Sequence, residues 1–533
     1  MPFIPDALKT SAPDRNVIAL SRITFGATPA ELNRVNKSGL HGFIEEQLYP
    51  SDASDDSVIQ KIASSTLHIK YDSKENEYPA VDEDRPLKAW NLPLDKLWPL
   101  RDYKTPMAGQ ERTRPLEEVR VVSWIRAVYS KWQLQEIMTE FWHNHFNVNP
   151  DSDTKIAVSF PEYDREVIRK NCFGNFRTFL EDVAKSTAMQ YYLDNASSKA
   201  SPANENYARE LFELHTFGSD NYLNNLYNRW REVPGATLGK PIGYIDQDVY
   251  EAARAFTGWT IADGATTGKG ESLPNTGAFY YHDGWHDNYQ KRVLGTEFDP
   301  NTPPLADGKK VLDLVAFHPA TAKHICQKIC KRLISDVPPP GVVNGATDVW
   351  IKNKDNPFQI RETLRFILSS QEIAQGWGGK VKTPFELMTS ILRVTEADFT
   401  PNQSLTGQMN QMGYLHYRWP TPTGHPDRSD YWLSSNTLLA RWNLAFGLLN
   451  NPQNKLASFD FKTKTELKTI KDVVKYWTEK ILQRTKPDEY IEALTRSLLN
   501  GKDTGSSLFS MDLEKKIPAL ISMLTMTPDF QLK

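Results

Sequence analysis

The strongest helical signal in the chain is the run Asn204-Glu205-Asn206-Tyr207-Ala208-Arg209-Glu210-Leu211-Phe212-Glu213-Leu214-His215-Thr216-Phe217-Gly218. At about 100° per residue, Asn206, Glu210 and Glu213 lie within about 60° of one another on a helix. His215 lies on the opposite side, so the run has a polar face and an apolar face. Gly218 is the type of residue that ends a helix. The run therefore predicts a helix over 204–217.

Similar patterns recur along most of the chain and predict a mainly α fold. One helix start is marked by Thr28-Pro29-Ala30-Glu31, with an N-cap threonine, proline at the first helical position and glutamate at the third. Convincing strand material is confined to the glycine- and tyrosine-rich residues 277–282. We expect a large irregular multi-helix bundle with long inserted loops and at most a small β-hairpin.

The domain organisation follows from changes in composition along the 533 residues. Because there is no internal repeat and no clear linker, we predict a single large helical domain over residues 1–450. Within it, a Pro-, Asp- and Lys-rich stretch at about 65–115 is predicted to be an inserted loop. A second loop over 260–300 would hold any hairpin. Residues 451–533, which are rich in Lys, Thr and Glu, are predicted to form a C-terminal helical tail packed on the domain.

The composition excludes several classes of protein. The 63 basic and 66 acidic residues give a net charge of −3, which is not that of a basic nucleic-acid binder. Three cysteines do not make a disulfide scaffold. No apolar run approaches the about 18–20 residues of a membrane span. The first residues, Met1-Pro2-Phe3-Ile4, do not begin a secretory signal, so we expect a cytoplasmic protein, or an exported one if a signal has been removed.

Motifs that bind common cofactors are missing from the sequence. There is no glycine-rich nucleotide or flavin motif, no HExxH and no GxSxG, so neither a nucleotide nor a flavin is expected. The aromatic content is high, with 14 Trp, 21 Tyr and 24 Phe against 11 His. A few polar side chains gathered in an aromatic-walled site would account for part of it. Lys323, Lys328, Lys331 and Arg332 give one predicted helix a basic side, which we expect to be solvated.

The first candidate cluster is Phe141-Trp142-His143-Asn144-His145-Phe146. Histidines two residues apart point about 200° apart on a helix, so they cannot both bind one ion from its middle. They could if the helix ends here, as the following Asn147-Val148-Asn149-Pro150 suggests. Either His143 and His145 supply a metal ligand and its supporting neighbour, or both are satisfied histidines of an aromatic core.

The second and third clusters are acidic. Glu210 and Glu213, at i and i+3, have the spacing of a carboxylate metal site, and a solvated helix face shows the same spacing. Arg209 beside them can pair with Glu205 or Glu213. Asp248, in Tyr244-Ile245-Asp246-Gln247-Asp248, is either a further metal ligand or an acid that stabilises the start of a helix.

The fourth cluster is the aromatic segment Tyr280-Tyr281-His282-Asp283-Gly284-Trp285-His286-Asp287, followed by Lys291. A carboxylate can orient a histidine that binds a metal, or the pair can act as a base and its orienting group. The alternative is that both His–Asp pairs are turn residues.

These clusters occur together, and in this order, in one family: the sequence resembles the bacterial "domain of unknown function 1800" family. The matching segments are Ser21-Arg22-Ile23-Thr24-Phe25-Gly26, residues 141–146, residues 204–210, Asp248 to Thr257-Gly258-Trp259, His286-Asp287 with Lys291 and Leu294-Gly295, His318-Pro319, Lys382-Thr383-Pro384, and Trp419-Pro420 to Gly424 with Arg441. They span about residues 15–445. The resemblance implies a large, mainly helical bacterial protein, favours His286-Asp287 over His282-Asp283, and supplies no established activity.

The residues favour a metal-dependent enzyme, hydrolytic or oxidative. The predicted metal ligands are His143, His145, Glu210, Glu213, Asp248 and His286. A mixed imidazole and carboxylate set suits a divalent Zn, Fe or Mn ion. The predicted catalytic residues are Glu205, Arg209, Asp287 and Lys291, acting on a small molecule or a polymer in a pocket walled by aromatic side chains.

The alternative is a non-catalytic helical protein that binds a glycan or a peptide. In that case the same His, Arg, Glu and Asp side chains form a structural network, and exposed aromatic residues make the contacts with the ligand. Neither hypothesis involves nucleic acid or a membrane span, and neither predicts an oligomeric state.

Overall fold

The computed structural model describes residues 12–267, 270–402, 404–451, 456–461, 467, 469–499 and 513–533. The described residues are mainly helical, which confirms the predicted fold class. The first residues, on which the expectation about a secretory signal rests, lie outside these ranges, as do parts of the segment 451–533.

The helices before residue 260 include the helix that follows the predicted capping residue Thr28 and the helix predicted to end at Gly218. They are α1 (Arg15–Ile23), α2 (Pro29–Ser38), α3 (Leu40–Gln47), α4 (Asp56–Ser64), α5 (Leu94–Leu97), α6 (Gly109–Tyr129), α7 (Gln133–His145), α8 (Thr154–Glu162), α9 (Phe176–Lys185), α10 (Thr187–Tyr192), α11 (Asn206–Glu210) and α12 (Asp246–Ala255). Two further segments, Tyr163–Arg169 and Leu211–Thr216, are π-helical and continue α8 and α11.

The helices after residue 300 follow one another with short connections. They are α13 (Ala306–Ala316), α14 (Pro319–Leu333), α15 (Pro340–Lys352), α16 (Gln359–Ser369), α17 (Pro384–Val394), α18 (Ser404–Gln411), α19 (Ser435–Asn450), α20 (Ile470–Leu482), α21 (Asp488–Leu498), α22 (Leu513–Met526) and α23 (Pro528–Gln531). No helix in the described ranges combines the length and the apolar character of a membrane span.

Local sequence sets where two of these helices begin. Thr28 caps α2, its side chain accepting from Glu31 N–H while the Glu31 carboxylate accepts from Thr28 N–H, as the pattern predicts. α17 repeats the arrangement with Thr383 and Glu386. Because the cap fixes the first turn of α17, it also fixes where the Glu386 carboxylate points, and this carboxylate reaches the candidate site described below.

Four two-stranded antiparallel sheets, more than the one hairpin expected, interrupt the helices of the described chain. β1 (Thr66–Tyr71) pairs with β2 (Val81–Pro86), β3 (Trp259–Asp263) with β4 (Asn275–Tyr281), β5 (Lys291–Val293) with β6 (Thr296–Phe298), and β7 (Asp398–Phe399) with β8 (Ala457–Ser458).

The loop expected over 65–115 is therefore wrong in three places. The hairpin β1–β2 and the short helix α5 occupy parts of it, and α6 already begins at Gly109. Leu67 and Ile69 alternate with polar residues on β1 and are buried, so the two-residue period of a strand is present but short. β2 carries mostly charged residues, which hid the pairing. The second expected loop, over 260–300, contains both β3–β4 and β5–β6.

Most buried apolar side chains belong to one continuous cluster. It runs from Ala19 near the start of the described chain to Phe530 near its end. Side chains from both sides of residue 450 therefore share one core. The contact between α19 and α22 joins the two parts, and Arg441 Nε donates to Gln531 Oε1 at 2.6 Å.

Candidate functional site

The two histidines of α7 face different neighbours, as their spacing on a helix predicts. His143 Nε2 donates to Asp164 Oδ1 at 2.8 Å. His145 Nε2 donates to the backbone carbonyl of His215 at 3.2 Å. Both imidazoles are buried, and the His143 ring lies 4.5 Å from the Tyr417 ring. α7 does end at His145, but the two side chains do not share a partner.

The His143–Asp164 pair ties α7 to the π-helical segment 163–169. Burial alone would raise the pKa of Asp164, but the hydrogen bond and charge of His143, together with the charges of Arg169 and Arg126, lower this pKa to about 2. The pair is thus a charge-assisted hydrogen bond inside the core. An aspartate in this position would also orient an imidazole that binds a metal.

His145 belongs to a group of three histidines with His215 and His324. Because a carbonyl oxygen only accepts, His145 carries its proton on Nε2, and its Nδ1 is an acceptor without a partner among the described residues. In the same ranges, His215 has no partner at either ring nitrogen and His324 has none at Nε2. Burial lowers the pKa of His145 well below its usual value, that of His215 to about 3 and that of His324 to about 4. All three imidazoles are therefore neutral near pH 7.

A cavity with a volume of about 40 Å³ lies beside α7. This is room for about three waters or one small ligand. Its walls include Glu140 and His145 of α7, Lys328 and Arg332 of α14, Glu386 of α17, and His425 of the segment before α19. Because ionisable side chains from separate elements converge on this half-open cavity, it is the candidate functional site.

A network of buried ion pairs forms one side of the cavity. Arg332 bridges Glu140 at 3.1 Å and Glu386 at 2.8 Å, and the Lys533 ammonium also pairs with Glu386. Burial by itself would raise the pKa of Glu386, but Arg332 and Lys533 hold it far below its usual value. For Glu140 the balance is reversed, since burial raises its pKa in spite of Arg332. Glu386 is therefore ionised, whereas Glu140 takes up a proton more readily than an exposed glutamate.

Lys328 contributes a positive charge to the cavity without a hydrogen bond or an ion pair to any described residue. The neighbouring Asp427 forms an ion pair with Lys380, with 2.8 Å between Oδ1 and Nζ. Lys380 Nζ also lies 3.2 Å from Asp336 Oδ1. Burial lowers the pKa of Lys328 to about 8, against the attraction of Asp427. Lys328 is only partly buried, and Asp427 is the carboxylate that attracts it, at a distance longer than that of an ion pair.

The segment that carries His425 is fixed to α7 through Asn144. Asn144 Nδ2 donates to the His425 carbonyl at 3.0 Å, and Asn144 Oδ1 accepts from the His425 N–H at 2.6 Å. The His425 ring stacks on Tyr414 at 4.4 Å, and burial lowers its pKa to about 3. Three of the segments that carry the family resemblance thus meet here: residues 141–146, 382–384 and 419–424.

The predicted residues of α11 and the segment after it do not line the cavity. Arg209 pairs with Glu205 at 3.2 Å, as predicted, and also approaches Asp246 at 3.6 Å. Burial, reinforced by the charge of Glu213, raises the pKa of Glu210 to about 7. Since Leu211–Thr216 is π-helical, the polar side chains do not follow the regular 100° steps on which the predicted stripe rested.

Asp248 accepts two backbone hydrogen bonds. They come from Ile245 N–H at 2.9 Å and from Leu294 N–H at 2.6 Å. Burial nevertheless raises the pKa of Asp248 to about 6. The carboxylate therefore does what the structural interpretation expected at the start of α12, and it also holds the turn of the hairpin β5–β6 against this helix.

His286, Asp287 and Lys291 form a second network around Asp307. Lys291 Nζ lies 2.7 Å from Asp307 Oδ2, and His286 Nε2 lies 3.3 Å from the same oxygen. The Arg254 guanidinium donates hydrogen bonds to both carboxylate oxygens of Asp287, at 2.7 and 3.0 Å. Burial would raise the pKa of Asp307, but its bonds to His286 and Lys291 lower it to about 2. All these charges have partners within the network.

The structure thus distributes the predicted site residues over three places. His145 lines the cavity, whereas His143, on the same helix, faces Asp164 instead. The four residues 205, 209, 210 and 213 cluster near α12, and Asp248, His286, Asp287 and Lys291 secure β5–β6. Among the described residues, no three His, Cys, Asp or Glu side chains are placed so that they could hold a metal ion. The metal ligands remain predictions.

Glu140, Glu386 and His425 were not among the predicted site residues, and Lys328 and Arg332 were predicted to be solvated. The basic side of α14 was expected to be solvated, but Arg332 is 7% exposed and both side chains line the cavity. A signal was present in the spacing: Glu140 and Asn144 on α7, and Lys328 and Arg332 on α14, are i, i+4 pairs on one helix face. Nothing in the sequence shows that these two faces oppose each other.

Fold and cavity together define a mainly helical protein with a buried, ionisable site. The chain belongs to the family described as "Protein of unknown function (DUF1800)", whose match covers residues 18–532. The match confirms the resemblance and extends it through most of the segment after residue 450. Neither the curated proteins nor the solved structures contain a match to the chain.

The stability of the protein should depend on the pH through Glu210. Its folded-state pKa of about 7 lies above the ordinary value of 4.5, so its proton stabilises the folded chain at low pH, and that stabilisation is lost as the pH rises from 4.5 to about 7. We expect the free energy of unfolding to fall less between about pH 5 and about pH 8 in Glu210→Gln than in the original protein, as measured by urea denaturation.

Glu205→Gln is the matched control for this measurement, because Glu205 lies on the same turn with its side chain 42% exposed. Its pH dependence should follow that of the original protein. Equal slopes for all three proteins would contradict the raised pKa of Glu210.

Proposed function

We propose that the chain is an enzyme that transfers protons to and from a small polar molecule bound in the cavity beside α7. One observation carries this proposal: Glu140 and Lys328, which forms no ion pair with a described residue, line the same cavity. Burial moves the pKa of the carboxyl group up and that of the ammonium down, so both approach neutral pH from opposite sides. Groups with such pKa values are the ones that acid–base catalysis uses.

Each wall residue has a role that its contacts support. Glu140 is the acid and base: Arg332 holds its Oε2 at 3.1 Å, and the Tyr414 hydroxyl lies 3.4 Å from its Oε1. Lys328 stabilises negative charge that develops on an oxygen of the bound molecule. His145 offers a neutral acceptor at Nδ1. In hydrolysis, Glu140 takes a proton from the attacking water and gives it to the leaving group; an oxidative reaction would need an electron acceptor in addition.

A metal-dependent form of this reaction remains part of the proposal. Neutral imidazoles are good ligands for Zn, Fe or Mn, and His145, His215 and His324 all have ring nitrogens without partners in the described ranges. Metal binding would require these side chains to come closer together, since they do not form a metal-binding group as they stand. Elemental analysis of the purified protein, with and without chelator treatment, tests this form.

The non-catalytic alternative is favoured by the network at Asp307. Because His286, Asp287 and Lys291 are fully paired there, they act as structural groups that fix β5–β6 to α12. A protein made only of such networks would bind a glycan or a peptide through exposed aromatic side chains. This alternative leaves unexplained why Lys328 lines the cavity without an ion pair to a described residue.

The function is tested with Glu140→Gln. A panel of small carboxylic acids, amides and esters is incubated with the protein, and product formation is followed by mass spectrometry. We expect Glu140→Gln to reduce turnover by about 100-fold or more, the usual contribution of a general acid or base. The control is Glu396→Gln, whose side chain is 49% exposed and pairs with Lys480 at 2.9 Å. Unchanged turnover in Glu140→Gln would refute the assigned role.

A further inference from the structure

We propose that a second cleft, formed by α13, the start of α14 and the turn of β5–β6, binds a single-tailed amphiphilic anion of the fatty-acid class. The cleft has a volume of about 880 Å³, which falls within the range of about 300–1,000 Å³ that is typical of small-molecule sites. It shares no lining residue with the cavity beside α7. The proposal therefore goes beyond the proposed function and adds a second site to the protein.

Most of the lining of the cleft is apolar. Leu314 and Phe317 lie on one face of α13, because residues 310, 314 and 317 are spaced at i, i+4 and i+7. Leu294, at the turn of β5–β6, and Ile242, in the loop before α12, add to this surface. Ile242 is 57% exposed and Phe317 is 40% exposed. Large apolar side chains that meet water around a concave surface favour the burial of an apolar ligand.

His318 holds two walls of the cleft together. Its Nε2 donates to the Pro241 carbonyl at 2.7 Å, and its Nδ1 accepts from the Ala320 N–H at 3.1 Å and so caps α14. One nitrogen donates and the other accepts, which is the bonding pattern of a neutral imidazole. The ring also stacks on Phe217, with 4.3 Å between the ring centroids. Because one side chain joins the loop to the first turn of α14, the cleft is formed before a ligand binds.

The charged side chains of the lining are Lys240, Lys310, Lys323 and Asp313. The charge of Asp313 is compensated from outside the lining, since Arg177 Nε lies 2.5 Å from its Oδ1. Lys310 Nζ donates to the carbonyl oxygen of Glu297 at 2.7 Å, which does not neutralise the ammonium. All three lysines are exposed, and none forms an ion pair with a residue in the described ranges. The cleft is therefore apolar inside with a positively charged rim.

This combination of charge and apolar surface defines the ligand. The lysine rim is complementary to an anionic head group, and the apolar lining accepts a hydrocarbon tail. Exposed ion pairs contribute little by themselves, so binding needs the tail as well as the charge. Leu294 lines the cleft although it is buried. A narrow tail can reach such a side chain, whereas the flat surface of a bilayer cannot, and the geometry therefore favours a free amphiphile over a membrane.

Isothermal titration calorimetry of the full chain with dodecanoate, below the concentration at which micelles form, tests the proposal. We expect dodecanoate to bind, and decanoate and octanoate to bind progressively more weakly, by up to about fourfold for each methylene group that is no longer buried. Dodecyltrimethylammonium has the same tail and the opposite charge. It should bind at least about tenfold more weakly than dodecanoate.

Two double variants with the same net charge test the lysine rim. Lys240→Gln combined with Lys323→Gln should weaken dodecanoate binding about tenfold. The matched control is Lys309→Gln combined with Lys352→Gln, which removes two exposed lysines that do not line the cleft. It should bind dodecanoate within about twofold of the original protein. All four side chains are exposed, so both variants should keep the fold.

Four outcomes would overturn the proposal. They are no binding of dodecanoate, an affinity that does not depend on the length of the tail, equally tight binding of dodecyltrimethylammonium, and equal weakening in the two double variants. Sedimentation with phosphatidylglycerol vesicles is measured in parallel. A protein that sediments with the vesicles but does not bind free dodecanoate would have a membrane-binding surface instead of a fatty-acid site.

Discussion

Replacing Glu386 by glutamine should lower the free energy of unfolding by about 3–5 kcal/mol, the usual cost of breaking a buried ion pair by removing one partner. Glu386 is 4% exposed and is shared by Arg332 and Lys533. Its carboxylate also accepts from the backbone N–H of Thr383 at 2.8 Å, which caps α17. The glutamine amide is uncharged, so Arg332 and Lys533 would lose the carboxylate that they share.

The loss should also depend on the pH. The pKa of Glu386 is held below its ordinary value of 4.5 by its cationic neighbours, so its stabilising effect is complete above that value and is lost as the pH falls. The difference between the original protein and Glu386→Gln, measured by urea denaturation, should therefore be largest near neutral pH and shrink in acid.

Glu396→Gln again serves as the control. Its exposed pair with Lys480 should contribute at most about 1 kcal/mol. A loss below about 1 kcal/mol in Glu386→Gln as well would mean that the network around Arg332 adjusts easily, contrary to the rigid wall described for the cavity.

The sequence predicted those parts of the fold that depend on neighbouring residues. The capping pattern at Thr28 located the start of α2, because all the groups involved lie within one helical turn. Gly218 ended the predicted helix, and its φ of +83° is one that glycine adopts readily. The π-helical turn at Leu211–Thr216 was not predicted, since six residues are too few for the two periods to be told apart.

The candidate site was predicted only in part, because its energetics depend on contacts between distant segments. His145 stood out within an aromatic motif. Lys328 and Arg332 did not, since a charged helix face is typical of a solvated helix unless the opposing helix is known. Arg332 reaches Glu140, 192 residues earlier in the chain, and a single sequence gives no sign of that pairing. The same holds for Asp287, whose partner Arg254 lies 33 residues before it.

The second large effect is expected from Gly424→Ala. Gly424 has a φ of +69°, and a Cβ at this position would lie 2.2 Å from the backbone oxygen of Asn144. The unfavourable φ costs an alanine about 1–2 kcal/mol, and overpacking against the backbone adds about 1–3 kcal/mol. We therefore expect a loss of about 2–5 kcal/mol in the free energy of unfolding.

The same substitution should disturb the cavity. Asn144 holds His425 through two hydrogen bonds, at 3.0 and 2.6 Å, and a Cβ on Gly424 must push this segment away from α7. Because His425 forms part of the cavity wall, the turnover that depends on Glu140 should fall in Gly424→Ala, although Glu140 itself is unchanged.

Gly413→Ala separates the two causes. Gly413 has a φ of +74°, and no described atom lies within 4 Å of the place that an alanine Cβ would occupy. An alanine there therefore has the free-energy cost of the unfavourable φ but no steric clash. It should cost about 1–2 kcal/mol and leave the turnover intact. If Gly424→Ala is no more destabilising than Gly413→Ala and keeps the turnover, then the contact between Gly424 and Asn144 does not hold the cavity wall in place.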